Sequence, residues 1–168
     1  MTDLPIVLKG IANYEDAVLA VEHGVPAIIL SNHGGRQLDT TQSSLETALE
    51  IYNEAPEVFK KLEVYADGGV RYGTDALKLL ALGVRAVGLG RPFMFANVFG
   101  VEGVKKVVEI MKREIAVNAG NLGLNDLKNI TANSVSFSCQ YFCKMHMVRD
   151  HHADYQLQVK WTSRGYGA

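Results

Sequence analysis

His33 and Arg36, only three residues apart, form the most reactive combination in this 168-residue chain. Histidine exchanges a proton near neutral pH, and arginine can bind a carboxylate through two parallel hydrogen bonds. Gly34 and Gly35 stand between them, where they remove side-chain bulk and permit backbone conformations that other residues avoid. A proton acceptor beside a carboxylate-binding group suits a small hydroxy or keto acid. Taken alone, these residues fit equally a loop histidine beside a surface arginine.

Two glycine-bearing turns further along the chain have the composition of phosphate sites. The run Asp67-Gly68-Gly69-Val70-Arg71 precedes a predicted helix, and Gly90-Arg91 follows a predicted strand. Glycines at such turns let backbone N–H groups approach an anion, and a helix N-terminus adds a favourable dipole. Each turn also brings one guanidinium group. One such turn is more often merely structural, but the two together favour a phosphate-bearing cofactor.

Lys9 closes a short apolar run, Pro5 to Lys9, where a buried strand is expected to end. Placed under a flavin ring, its ammonium group could stabilise the negative charge that develops near N1 and O2 on reduction. The alternative is a lysine that reaches out of the strand end into water, which is common.

The elements that must position these residues alternate between strand and helix. Strands are predicted at 5–9, 27–30, 62–66 and 86–89, and helices at 14–23, 45–52 and 74–82, followed by a longer helix with an apolar face formed by Val104, Val107, Val108, Met111 and Ile115. This order indicates an α/β fold of about four parallel βα units. The reactive clusters follow successive strands, which is where function gathers in such folds. Periodicity alone leaves a doubly wound sheet and part of a barrel both open.

Composition excludes several classes of function. The 17 Lys and Arg residues nearly balance 18 Asp and Glu residues, so no nucleic-acid partner is expected. Apolar runs are short, so no membrane span is expected, and no leader peptide is expected before the first predicted strand. Two cysteines cannot build a disulfide framework, which makes a reducing compartment, by default the cytoplasm, the expected location.

The four clusters, in this order, resemble the signature of the FMN-dependent α-hydroxy-acid dehydrogenases, the family of glycolate oxidase, lactate oxidase and the cytochrome-linked L-lactate dehydrogenases. The matching segments are 4–10, 31–39, 67–75 and 88–93, of which Ser31 to Asp39 is the most specific. The resemblance implies part of a TIM (β/α)8 barrel, with units corresponding to strands 5–8 and FMN at the carboxyl ends of the strands. It also implies oxidation of a small L-2-hydroxy acid, of lactate or glycolate type, to the 2-keto acid.

The same resemblance assigns roles to individual residues. Lys9 would contact the flavin ring, and Ser31 would lie close to the flavin or the substrate. His33 would be the catalytic base and also contact the substrate, and Arg36 would bind the substrate carboxylate. The ribityl-phosphate site would be lined by Asp67, Gly68, Gly69, Arg71, Gly90 and Arg91.

The chain departs from the family in two respects. Residues 1–132 are expected to form the C-terminal half of the barrel, and residues 133–168 an irregular tail without family likeness. Half a barrel exposes two sheet edges, so we expect it to pair with a complementary half-barrel or a second copy of itself. A truncated, catalytically silent half-barrel that at most binds FMN or phosphate is the alternative. Cys139, Cys143 and His146 in the tail are not expected to bind a metal.

Overall fold

Four parallel strands form one sheet in the order in which they follow one another along the chain. The computed structural model describes residues 3–135, and its strands are β1 (Val7–Ile11), β2 (Ala27–Leu30), β3 (Glu63–Asp67) and β4 (Ala86–Gly88). Each strand pairs in parallel with the next. The predicted α/β fold with four parallel strands is therefore confirmed.

Helices connect the strands and follow the last one. They are α1 (Tyr14–Glu22), α2 (Ser44–Glu54), α3 (Val58–Lys61), α4 (Gly73–Ala81), α5 (Arg91–Asn97) and α6 (Gly100–Asn121), followed by 3-10 helices at Leu127–Asn129 and Ala132–Ser134. The two short helices, α3 before β3 and α5 after β4, were not predicted from the sequence.

Local capping explains where these helices begin and end. The Asn13 side chain accepts a hydrogen bond of 2.7 Å from the backbone N–H of Asp16, which fixes the start of α1. Ser43 and Glu46 form a reciprocal capping box at the start of α2. After α4 the chain turns at Gly83, whose φ of +106° lies where glycine is favoured.

The hydrophobic core lies between the sheet and the helices that cover one of its faces. Ile28, Leu30 and Val64 project from the strands towards the helices and are buried, as are Ile51 and Leu82 on the helical side. Alternate strand residues point to opposite faces of a sheet. The residues between these therefore face away from the helices.

The opposite sheet face carries polar residues and is partly open. Lys9 pairs with Ile29, Ile29 with Tyr65, and Tyr65 with Ala86, so these four residues form one row across that face. The Tyr65 hydroxyl donates a hydrogen bond to Glu63. That bond, with burial and the Glu63 charge, raises the pKa of Tyr65. Two polar side chains, those of Lys9 and Tyr65, thus lie in this row on the sheet face away from the helices.

The helices of residues 3–135 are also informative about membranes. None of them combines the length and the apolar character that a bilayer-crossing helix needs.

Candidate functional site

Ser31 joins the ends of three strands through its hydroxyl group. The residue directly follows β2 and is 1% exposed. Its Oγ accepts a hydrogen bond of 2.7 Å from Lys9 Nζ of β1, donates one to Asp67 Oδ1 of β3, and accepts a third, of 3.0 Å, from the backbone N–H of His33. Lys9 Nζ also lies 3.3 Å from Asp67 Oδ2. Three residues predicted for cofactor binding are therefore in direct contact.

Residues 31–42, here called the histidine loop, leave the end of β2 in an unusual backbone conformation. His33 has a φ of +57°, a value that few residues other than glycine adopt, and Gly34 and Gly35 follow at +67° and +77°. The side chain of His33 is exposed, whereas its backbone is held by Ser31. The loop therefore presents the imidazole to solvent from a fixed backbone.

Asn32 ties the histidine loop to itself and to the end of β3. Its Oδ1 accepts a hydrogen bond of 3.0 Å from the Gly35 N–H, and its Nδ2 donates to the Gln42 carbonyl at 3.3 Å. A Cβ atom on Gly68 would lie 2.8 Å from the same Oδ1. Glycine is needed at position 68 because the loop packs directly against the turn after β3.

Arg91 brings the start of α5 to the histidine loop. Its Nη2 donates a hydrogen bond to the Gly34 carbonyl. A Cβ atom on Gly34 would lie 2.9 Å from Nη2, so this contact also requires glycine. Arg91, predicted for the phosphate site, is thus packed beside the residue that follows His33.

Carboxylates hold part of the backbone in the turn of residues 67–72, which is predicted to bind phosphate. The N–H groups of Arg71 and Tyr72 both donate to Asp75 Oδ2, at 3.0 Å each, and the Gly73 N–H donates to Glu114 Oε2 at 2.6 Å. Two carboxylates therefore bind the N–H groups of residues 71–73, just before and at the start of α4.

The other predicted site residues lie at the same end of the sheet without contacting this cluster. Arg36 and Arg71 are exposed, and neither forms an ion pair within residues 3–135. Gly69 and Gly90 have open space where a Cβ atom would lie. The guanidinium groups of Arg36 and Arg71 are therefore available to bind an anionic ligand.

Sequence reasoning missed Asn32, Asp75 and Glu114 as supporting residues. The roles of Asn32 and Asp75 could have been predicted from the sequence, since Asn and Asp at such positions often bond to nearby backbone N–H groups. The role of Glu114 could not, because its partner Gly73 lies 41 residues earlier in the chain.

The positive charges at this end of the sheet complement the phosphate of FMN and the negative charge that its ring gains on reduction. Lys9 is only 39% exposed, and its ammonium group is balanced by Asp67 on one side. Arg71 and Arg91 lie on the turns after β3 and β4 and have no carboxylate partner within residues 3–135. Cationic donors without a carboxylate partner at the carboxyl ends of parallel strands suit a phosphate-bearing ligand.

An apolar cavity of about 320 Å³ lies elsewhere, between β4 and the helices α4 and α6. Its lining includes Leu80, Val87, Phe93 and Met111, with Lys112 as the one charged residue. A hydroxy acid with a charged carboxylate would be poorly solvated there, so we place the site at the strand ends.

The tail cysteines and His146 lie outside the described residues.

Comparison with known proteins gives a consistent match. A family model described as FMN-dependent dehydrogenase matches residues 1–137. L-lactate dehydrogenase (cytochrome) of Wickerhamomyces anomalus is 46% identical over 134 residues, which are 78% of this chain and 23% of that protein. 2-Hydroxyacid oxidase 2 of Mus musculus is 46% identical over 139 residues, which are 82% of this chain and 38% of that protein. The chain thus spans well under half the length of these relatives.

Solved structures match in the same way. A mutant flavocytochrome b2 with pyruvate bound aligns with a TM-score of 0.73 and 38% identity, over 92% of this chain and 42% of that chain. Mandelate oxidase with benzoyl-formic acid aligns with a TM-score of 0.69 and 40% identity, over 78% of this chain and 38% of that chain. Both are TIM barrels of which this chain covers a part, as the sequence predicted.

Proposed function

The chain belongs to the FMN-dependent dehydrogenase family, and we propose that it supplies the half of an L-2-hydroxy-acid-oxidising site that carries the base, the carboxylate-binding arginine and the FMN phosphate contacts. The observation that carries the proposal is the cluster of Lys9, Ser31 and Asp67, which also holds the His33 backbone. It links the base to the lysine proposed for the flavin ring. The substrate is a small 2-hydroxy acid of lactate or glycolate type.

Arg36 is the residue proposed to bind the substrate. Its exposed guanidinium, free of ion pairs within residues 3–135, would bind the substrate carboxylate through two parallel hydrogen bonds. His33 lies three residues earlier in the same loop, and we propose that its imidazole reaches the α-carbon next to the bound carboxylate. The two residues together select an acid with a hydroxyl group at its second carbon.

Proton transfer falls to His33. Its imidazole would take either the hydroxyl proton or the α-proton of the substrate, and in both cases it ends as an imidazolium. Bound FMN would supply the oxidant, accepting the two electrons that leave the substrate. Lys9, held by Ser31 at 2.7 Å, would place positive charge beside the flavin ring, and Arg71 and Arg91 would bind the phosphate.

A complementary half-barrel is the partner that this sheet requires. Within residues 3–135, β1 and β4 each pair on one side only, and unpaired strand edges favour association. The junction between α5 and α6 also exposes apolar side chains, with Val98 and Phe99 about four-fifths exposed. We propose that either a second copy or another half-barrel covers these edges. A stable monomer by sizing chromatography with light scattering would contradict this.

The alternative is a half-barrel that binds FMN or phosphate but turns over no substrate when tested alone. Anaerobic reduction of bound flavin by L-lactate separates the two functions. Oxidation at this site requires bleaching of the flavin absorbance that is lost in both His33→Ala and Arg36→Ala. Flavin that binds but stays oxidised supports the silent alternative.

A further inference from the structure

Helices α4 and α6 meet at one point where their backbones nearly touch. A Cβ atom on Gly73, the first residue of α4, would lie 2.6 Å from Cβ of Glu114 and 2.7 Å from the backbone N of Ile115. No side chain other than hydrogen fits there. At this contact the Glu114 carboxylate accepts the Gly73 N–H at 2.6 Å.

The same contact continues into the turn that carries Arg71. The N–H groups of Arg71 and Tyr72 are bound by Asp75, and the next N–H, of Gly73, is bound by Glu114. Three consecutive backbone donors are therefore held by two carboxylates, one local and one from a distant helix. Asp75 thus binds the Arg71 backbone directly, and Glu114 binds the backbone two residues further on.

We propose that Glu114 is a positioning residue that fixes the 67–72 turn on α6 and so directs Arg71 at the phosphate of FMN. The proposal rests on the proposed function for the phosphate, but the hold on the turn is testable without FMN. Two properties of Glu114 have opposite expected effects on FMN binding. Its hydrogen bond places the turn, whereas its negative charge opposes a bound phosphate.

Three variants separate these properties. Glu114→Gln keeps an oxygen that can accept the Gly73 N–H and removes the charge. Glu114→Asp keeps the charge on a shorter side chain that no longer reaches, and Glu114→Ala removes both. Glu109→Ala is the matched control, because Glu109 is exposed on α6 and, within residues 3–135, forms an ion pair only with Lys106, at 3.8 Å.

Amide hydrogen exchange by NMR gives the first measurement. We expect faster exchange at Arg71, Tyr72 and Gly73 in Glu114→Ala and Glu114→Asp, and near wild-type exchange in Glu114→Gln and Glu109→Ala. Should Glu114→Ala fail to fold, Glu114→Asp and Glu114→Gln carry the comparison. Unchanged exchange at Arg71 and Tyr72 in the folded Ala or Asp variant overturns the proposal.

The second measurement is titration with FMN and with riboflavin, which lacks the phosphate. Glu114→Ala should weaken FMN binding roughly tenfold, the effect of one charged hydrogen bond, and leave riboflavin binding unchanged. Glu114→Gln should bind FMN at least as well as wild type. Tighter FMN binding in both variants would mean that Glu114 acts only as a repelling charge, which overturns the proposal. If wild type binds no FMN, the proposed function fails, and the exchange data alone decide on Glu114.

Discussion

Lys9 Nζ and Asp67 Oδ2 lie 3.3 Å apart although their strands, β1 and β3, are not neighbours in the sheet. The two side chains meet over the end of β2, where the Ser31 hydroxyl bonds to both. Ser31 therefore fixes a lysine, a carboxylate and the backbone of the proposed base at one point. Its hydroxyl group is fully used in these three hydrogen bonds, and its closeness to the flavin or the substrate stays a prediction.

Ser31→Ala should destabilise the fold more than another buried serine does. The change leaves the His33 N–H without its acceptor and removes one partner each from Lys9 and Asp67, at an expected cost of about 1–3 kcal/mol. Ser44→Ala is the control, since Ser44 is equally buried and donates one bond, to the Gly68 carbonyl at 3.1 Å. Urea unfolding measures both, and equal losses would contradict the role given to Ser31.

Gly34→Ala and Gly35→Ala separate backbone strain from displacement of Arg91. Both glycines have positive φ, so either alanine should cost about 1 kcal/mol of stability. Only at position 34 does the new Cβ meet Arg91 Nη2, at 2.9 Å. We expect Gly34→Ala to weaken FMN binding and Gly35→Ala to leave it near wild type. The same FMN affinity in both variants would show that Arg91 does not need this contact.

Much of the fold follows from local sequence. β2 was predicted to the residue, and Asn13 and Gly83 mark helix ends through short-range capping and backbone freedom. β1 was placed two residues early, because its pairing continues past Gly10 to Ile11 through an irregularity that the apolar run does not reveal. The α5 helix was missed because its start at Arg91-Pro92 has the composition of a turn.

The sequence indicates candidate site residues but not the contacts between them. The spacing of Lys9, Ser31 and Asp67 along the chain says nothing of their contact, which depends on three strands ending at one edge. The left-handed backbone of His33 is set by Ser31 and by packing, and a sequence pattern does not specify it. Bonds between distant residues, such as Gly73 with Glu114, arise only once the helices have packed.

Glu50→Gln should stabilise the chain at neutral pH. Burial, together with the charges of Glu15 and Glu54, raises the pKa of Glu50, and its Oε2 has no hydrogen-bond partner within residues 3–135. A carboxyl group whose folded pKa exceeds its unfolded pKa contributes stability below the unfolded value and loses it as pH rises through the folded value. The gain from Glu50→Gln should therefore appear above about pH 4.5 and vanish in more acidic solution. Thermal unfolding from pH 3 to 8 measures it, with exposed Glu22→Gln as control, and a constant difference would contradict it.

His33→Asn tests the proposed base without changing the backbone requirement. Asparagine tolerates a positive φ better than most residues, so the histidine loop should keep its conformation. Flavin reduction by L-lactate should slow by about 100-fold or more, because the proton acceptor is gone. His23→Asn, at the exposed end of α1, is the matched control. Full activity of His33→Asn would exclude His33 as the base.

The most direct measurement is a titration of the purified chain with FMN, followed by flavin fluorescence, in wild type, Arg91→Ala and Arg113→Ala. Arg113 is exposed on α6 and is not among the residues proposed to bind FMN, so its loss should not matter. We predict saturable binding in wild type and Arg113→Ala, and loss of binding in Arg91→Ala. No saturable binding in wild type, or equal binding in all three proteins, would contradict the claim that these strand ends form an FMN site.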